Sequence, residues 1–270
     1  MPEDAGELLA EGREAEVYLQ PDGTVLKLWR DPGSGDRARR ESAALTTLRS
    51  SACRVPAPLG TVEVGGRPGL LLERVEGEDL LTILGRRPLT VLAVGRAMAR
   101  AHLAMHEPAA PGELPELHDL LRQRITRAAA LPDDLRARAL AQLDELPRGD
   151  RICHGDLHPA NMLGTYAEPV VIDWGDASRG DGTADVARSQ LLLQMGELPP
   201  GSPALLRAAA RVGRSLLTST YLRGYRRGRP LDRDALERWR TVRAAARLDE
   251  GIHEERDKLL SLLRATCPEP

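Results

Sequence analysis

The chain contains no phenylalanine, a single asparagine, Asn161, and only two lysines, Lys27 and Lys258. Its three cysteines, Cys53, Cys153 and Cys267, are odd in number and far apart, which suits neither a disulfide framework nor a zinc site. Apolar runs such as Gly69 to Leu72 and Leu191 to Leu193 fall far short of the roughly 18 residues that a membrane span needs. Charge of one sign is lacking too. The 38 basic and 40 acidic residues leave a net charge of -2, so no global field points to nucleic acid or to a membrane surface. The start, "MPEDAGELLAEG", is acidic and has neither the basic nor the apolar region of a signal peptide. These shortages lead to the expectation of a soluble, cytoplasmic chain without nucleic-acid or membrane partners. Its 270 residues suffice for one large domain or two lobes with cores of their own.

The same scarcity gives weight to the exceptions. All but two of the 38 basic residues are arginines, a bias expected of a GC-rich genome. A lysine kept at position 27 then suggests a task for a compact point charge rather than a planar fork. A lone asparagine suggests a neutral amide oxygen that Asp or Gln cannot replace.

Along the chain two textures follow one another. Residues 8–30 read as two alternating strands joined at the turn signal "PDG", and "GDRARRESAALTTLRS" reads as an amphipathic helix. "VPAPLGTVEVGGRPGLLLERV" gives two more short strands turning at "GG". From Glu78 on, segments such as "PLTVLAVGRAMARAHLAMH", "LHDLLRQRITRAAA" and "RDALERWRTVRAAARLDEG" read as long helices. The expected class is α+β, with a small antiparallel lobe over residues 1–76 and a larger helical lobe over residues 77–270. Ligands favour the cleft between two such units.

One stretch resists a purely structural reading. "RICHGDLHPANML", residues 151–163, is followed by "EPVVIDWGDAS", in which Val170 to Ile172 form a buried strand ending at Asp173. Asp156, Asn161 and Asp173 thus fall at the ends of short strands. Two carboxylates and an amide oxygen are hard ligands of the kind magnesium accepts while keeping phosphate oxygens. An Asp, four residues and an Asn, then Asp-x-Gly, is the order of a kinase catalytic loop and its metal-binding loop.

On these motifs the chain resembles the aminoglycoside phosphotransferase and choline kinase-like family, which has a two-lobed protein-kinase-like fold. The resemblance extends over roughly residues 8–190 by the placement of such landmarks. It implies that "GREAEVY", with Gly12 as its one glycine, covers the nucleotide. Lys27 in "VLKLW" would pair with phosphates of ATP, and Glu41 in "RRESAAL" would brace that lysine. In "LLLERVEGEDL" the backbone from Glu73 to Val75 would bind adenine. Asp156 would accept or orient the proton of an acceptor hydroxyl, while Asn161 and Asp173 would hold Mg2+ against the phosphates. The implied reaction moves the ATP γ-phosphoryl group to a hydroxyl of a small molecule, with aminoglycosides and other antibiotics among the candidates. "HGD" in place of "HRD", and the lack of an "APE"-like segment, set a protein Ser/Thr kinase behind that reading. The intact Lys27, Asp156, Asn161 and Asp173 speak against a catalytically silent nucleotide-binding relative.

Neighbouring residues carry plainer expectations. His154 should fix its loop, Asp185 should anchor a loop or start a helix, and Trp174 should pack. His158 stands between a phosphate or substrate contact and a structural role. Asp181, Asp249, Glu250, Glu254 and Glu255 are the acids that a cationic acceptor could meet, though such clusters are usually solvated faces. "YLRGYRRGR" reads as a solvated helix face rather than an RNA site.

Overall fold

Five strands within the first 72 residues build one antiparallel sheet. In the computed structural model, which describes residues 6–195 and 203–266, its strands are β1 (Glu7–Glu11), β2 (Ala15–Leu19), β3 (Val25–Trp29), β4 (Pro58–Val64) and β5 (Arg67–Leu72). They are ordered β1-β2-β3-β5-β4. Residues 8–30 therefore carry three strands rather than two. The expected turn at 21–23 joins β2 to β3, while β1 is exposed at every residue and offers no inward alternation to read. Gly65 and Gly66, at φ 58° and 75°, turn β4 into β5 as a two-residue hairpin that side chains would strain.

The middle strand, β3, is buried at all five positions, with Lys27 opposite Val17 on β2 and Leu70 on β5. Helix α1 (Gly35–Leu48) packs against the sheet through Ala38, Glu41, Ala44, Leu45 and Leu48. That spacing is the inward face of a helix, and it places the one acid, Glu41, under β3.

The larger lobe is helical: α2 (Leu80–Arg86), α3 (Val91–Met105), α4 (Leu117–Arg127), α5 (Asp133–Glu145), α6 (Gly182–Met195), α7 (Ala204–Gly228), α8 (Arg233–Arg247) and α9 (His253–Thr266). Two short strand pairs interrupt it. β6 (Arg151–Cys153) pairs with β9 (Ser178–Gly180), and β7 (Met162–Gly164) pairs with β8 (Pro169–Val171). The strand expected to end at Asp173 thus stops at Val171. One apolar cluster joins Trp29, Leu45 and Leu70 of the smaller lobe to Leu80, Met98 and Trp239 of the larger. Among the described residues no helix is long and apolar enough to cross a membrane, and Cys267 lies outside them.

Two helices escape the sequence pattern. Helix α6 is buried on nearly all sides, so it has no polar face and hence no amphipathic period. Helix α5 carries an overlooked start signal, the paired acids Asp133 and Asp134 directly after Pro132.

Candidate active site

The two short strand pairs hold two loops against each other. Residues 154–161 connect β6 to β7, and Asp173 follows β8. His154 cross-links them: its Nε2 donates to the Ile172 carbonyl at 3.0 Å, and its Nδ1 accepts the Asp156 N–H at 3.2 Å. Ile172 N–H donates to the Asn161 carbonyl at 3.0 Å. Asn161 Nδ2 donates to the Asp156 carbonyl at 2.9 Å, which leaves the amide oxygen for other use. Gly155, at φ 84°, leaves no room for a Cβ, which would meet the Asp176 carbonyl at 2.8 Å.

Asp185, on α6, anchors this arrangement from below. Its carboxylate accepts the N–H groups of His154 at 2.6 Å and Gly155 at 2.8 Å. It also accepts from Nε2 of His102 at 3.1 Å and of His106 at 3.4 Å. Each histidine turns its Nδ1 to a tyrosine hydroxyl, Tyr221 for His102 and Tyr225 for His106. Burial raises the Asp185 carboxyl, but the two histidines hold it well below the usual carboxylate range. Two histidines and an acid could serve as metal ligands. Here every ring nitrogen and both carboxylate oxygens are engaged, so the cluster is an internal hydrogen-bonded anchor. Asp185 thus fills the loop-anchoring role expected of it, and His154 the loop-fixing one. Trp174 is fully buried and packs as expected.

The smaller lobe contributes Lys27. Its Nζ lies 2.6 Å from Glu41 Oε2 and 2.7 Å from Asp173 Oδ1, and 5.1 Å from the centre of the Trp29 ring. Burial opposes the charge of Lys27, yet Asp173 and Glu41 outweigh it and raise the ammonium above its ordinary value. Lys27 in turn lowers Asp173. Asp173 is the one non-glycine residue with positive φ, 66°, among those described.

Asp156 meets three partners. Arg188 Nη2 lies 3.0 Å from its Oδ1, while His158 Nε2 and Asn161 Nδ2 each lie 3.5 Å from its Oδ2. Burial would raise this carboxyl, but His158 and Arg188 lower it well below the usual range. His158 Nδ1 also accepts the Ala160 N–H, so this side chain caps the turn at Pro159–Asn161 while facing the acid.

Gly12, Lys27, Glu41, Glu73 and Val75 line one cleft of about 940 Å³ together with Asp156, Asn161 and Asp173. Every residue singled out in the sequence for catalysis, nucleotide or metal is therefore brought together. Gly12 N–H donates to the Ala15 carbonyl at 2.8 Å and closes the loop after β1. Ion pairs of Arg30 with Glu11 and of Arg37 with Glu14 flank that loop. Glu73 is tied back to Ala57 by both its N–H and its side chain, which fixes the strap following β5.

The acidic cluster behaves differently. Only Asp249 and Glu250 reach the cleft. Asp249 pairs with Arg127, Glu250 with Arg188 and Arg247, and Glu255 with Arg247, while Asp181 caps Thr183. The open acidic pocket considered for a cation is thus largely neutralised by arginine. Sequence reasoning missed Arg188, Arg124 and Arg127 on the cleft. Arg188 had one signal, a lone charge in the stretch "VARSQLLL".

Asn161 and Asp173 offer hard oxygens on the same wall of the cleft, a donor set that fits magnesium rather than a softer metal. No curated protein sequence matches the chain. Solved structures share its fold. Aminoglycoside phosphotransferase APH(4)-Ia is 17% identical, over 97% of this chain and 92% of that one, with a TM-score of 0.66. Amicoumacin kinase hAmiN, in complex with AMP-PNP, Ca2+ and Ami, is 15% identical over 98% and 88%, at 0.63. Macrolide 2'-phosphotransferase MphH from Brachybacterium faecium is 20% identical over 98% and 92%, at 0.58. The model of the phosphotransferase enzyme family matches residues 5–231, the span that holds the sheet, both loops and Arg188. The chain belongs to the phosphotransferase enzyme family.

Proposed function

We propose that this phosphotransferase moves the γ-phosphoryl group of ATP to a hydroxyl of a small molecule. The observation that carries the reading is the convergence on one cleft of Lys27, from the sheet, with Asp156, Asn161 and Asp173, from two neighbouring loops of the helical lobe. Residues 1–76 would form the nucleotide-binding lobe and residues 77–270 the catalytic and acceptor-binding lobe. The carbonyl of Glu73 and the N–H of Val75 would take the adenine edge, with Gly12 in the loop above the phosphates. Lys27, held by Glu41, would place a point charge on the phosphates. Asn161 and Asp173 would hold magnesium, which supplies a bridge between phosphate oxygens and neutralises their charge. Asp156 would orient the acceptor hydroxyl and take its proton. Its place of action would be the cytoplasm, where ATP is available.

The acceptor side favours a neutral or mixed-charge alcohol over a polycation. Asp176, Asp249 and Glu250 each already face an arginine: Arg124, Arg127 and Arg188. An aminoglycoside would have to displace those partners. A thermostable mutant of APH(4)-Ia has been seen in a ternary complex with ADP and hygromycin B, so such antibiotics belong in the test. The test is ATP turnover against a panel of macrolides, sugars, amino alcohols and aminoglycosides, with Asp156→Ala beside the parent. A turnover that Asp156→Ala lowers by about 10² to 10⁴, with ATP binding kept within a few-fold, is expected. Activity within tenfold of the parent would sink the role of Asp156. Phosphate passing to casein-like proteins and to no small molecule would favour a protein kinase, and ATP binding without any turnover a silent relative.

A further inference from the structure

Arg188 is unusual in having no water to lose itself in. Its side chain is 5% exposed, yet it borders the cleft. A guanidinium so placed needs partners, and it has two hydrogen-bond acceptors and one further carboxylate oxygen in ion-pair contact. Its Nε donates to the Gly155 carbonyl at 3.0 Å. Its Nη2 lies 3.0 Å from Asp156 Oδ1 and 2.8 Å from Glu250 Oε1. Glu250 is held in turn, since its Oε2 pairs with Arg247 Nη1 at 2.8 Å and its carbonyl accepts from Arg13 Nη1 at 3.4 Å. Glu250 lies in the short turn between α8 and α9, and Arg13 in the loop between β1 and β2.

The geometry points to Arg188 as the positioning residue of Asp156, with Glu250 as the counter-anchor that fixes the guanidinium. This rests on the phosphotransfer reading of Asp156. The carboxylate of Asp156 can turn about its last bond, and a turned acid would present the wrong oxygen. Arg188 removes that freedom. By holding Oδ1 it commits Oδ2 to the other side, beside Asn161 and His158. The side chain of Asp156 is 32% exposed, so an oxygen remains reachable from the cleft. Arg188 itself grips the backbone one residue before Asp156, so the loop and the side chain it carries are clamped by one rigid fork. Lysine could not do this. A single ammonium cannot make directed bonds to both the Gly155 carbonyl and Asp156 while keeping Glu250 in ion-pair contact.

Uncoupled hydrolysis of Mg-ATP, in which water stands in for the acceptor, supplies a probe that needs no identified substrate. Arg188→Lys and Arg188→Gln should each lower kcat for phosphate release at least tenfold, because misplacement of a reacting group on the ångström scale costs about 10²-fold. Their affinity for the AMP-PNP complex of magnesium, by calorimetry, should stay within twofold. Glu250→Gln keeps the shape and removes the charge. It should lower kcat roughly three- to tenfold with an unchanged melting temperature. The deciding measurement is the pair of substitutions together. Arg188→Gln added to Asp156→Ala should cause no further loss, since Arg188 acts only through Asp156. A merely structural arginine would go on lowering the rate or the folded fraction in that background, and that result would overturn the inference. So would kcat within twofold of the parent in Arg188→Lys and Glu250→Gln alike. Should the Arg188 variants fail to fold, an unchanged kcat in Glu250→Gln overturns it alone. A parent-like rate in Asp156→Ala would bring down the phosphotransfer reading as well. A lost rate in Asp156→Ala beside a retained rate in Arg188→Gln would bring down only the role of Arg188.

Discussion

Lys27 and Asp173 lie 146 residues apart in the chain and meet with Nζ 2.7 Å from Oδ1, across the cleft between sheet and helices. Glu41 closes the same ammonium at 2.6 Å, so one cation is shared by two acids from different lobes. The ammonium and Glu41 are out of reach of most solvent, with side chains 11% and 2% exposed, while the Asp173 side chain is 55% exposed. Pairs in such surroundings depend on geometry, because the loss of one partner strands the others.

Lys27→Arg should therefore fail although it keeps the charge. A guanidinium is wider and planar, and the slot between Glu41 and Asp173 is set for a point charge. Turnover should drop at least tenfold, while Lys258→Arg, on the exposed side of α9, should leave it within twofold. Both substitutions follow the chain's own preference for arginine, so composition cancels in the comparison. Equal, parent-like turnover in the two variants would remove Lys27 from the nucleotide site.

Asp173 yields a second expectation, in which strain and chemistry separate. At φ 66° it occupies the left-handed region, where asparagine is tolerated and alanine is not. Asp173→Asn and Asp173→Ala both remove the carboxylate, so magnesium-dependent nucleotide binding should weaken in each. Only the alanine variant adds the cost of the backbone, about 1 kcal/mol. Urea unfolding of the two should differ by that amount. Equal stabilities would mean that the loop relaxes out of the left-handed region at no cost, and unchanged magnesium dependence would make Asp173 a loop residue only.

How much of this could be read in advance follows from the range of each contact. Asp156 and Asn161 are five residues apart and share one hydrogen-bonded turn, so their relation is written locally. Lys27 stood out because arginine is the rule, and Glu41 through the resemblance, which implies a bracing glutamate on the helix after that lysine. The supports of Asp156 are not local. His102 and His106 reach Asp185 over 83 and 79 residues, and Arg188 reaches Asp156 over 32. Their helices betray nothing, since α6 is buried on nearly all sides and a histidine in α3 looks like any core residue with a partner. Strand β1 escaped for the opposite reason, being exposed throughout. The periodic signal needs one wet and one dry face, and neither element has both.

The last expectation concerns acid stability. His106 is fully buried, with Asp185 and Tyr225 on its ring nitrogens, the His102 ring stacked 4.8 Å away, and Arg229 bonded to its carbonyl. Burial lowers its pKa from 6.5 to about 4, against the pull of Asp185 in the other direction. The sign follows from which state binds the proton. Above pH 6.5 neither the folded nor the unfolded chain protonates this ring, and the group contributes nothing to the pH dependence. Between pH 6.5 and about 4 the unfolded chain takes the proton and the folded chain does not, so stability falls on acidification. The loss is at most about 1.4 kcal/mol per pH unit, and it stops once both states are protonated. His106→Gln should be less stable than the parent at pH 7, because the contacts with Asp185 and Tyr225 are disturbed. That deficit should shrink by roughly 2 kcal/mol at pH 4.5, since glutamine takes no proton in either state and the other acids and histidines titrate in both proteins. Urea midpoints of the pair at pH 7 and pH 4.5 measure the difference directly. A deficit that stays constant with pH would mean that His106 binds its proton equally in both states, and the buried anchor beneath the Asp156 loop would then be open to water.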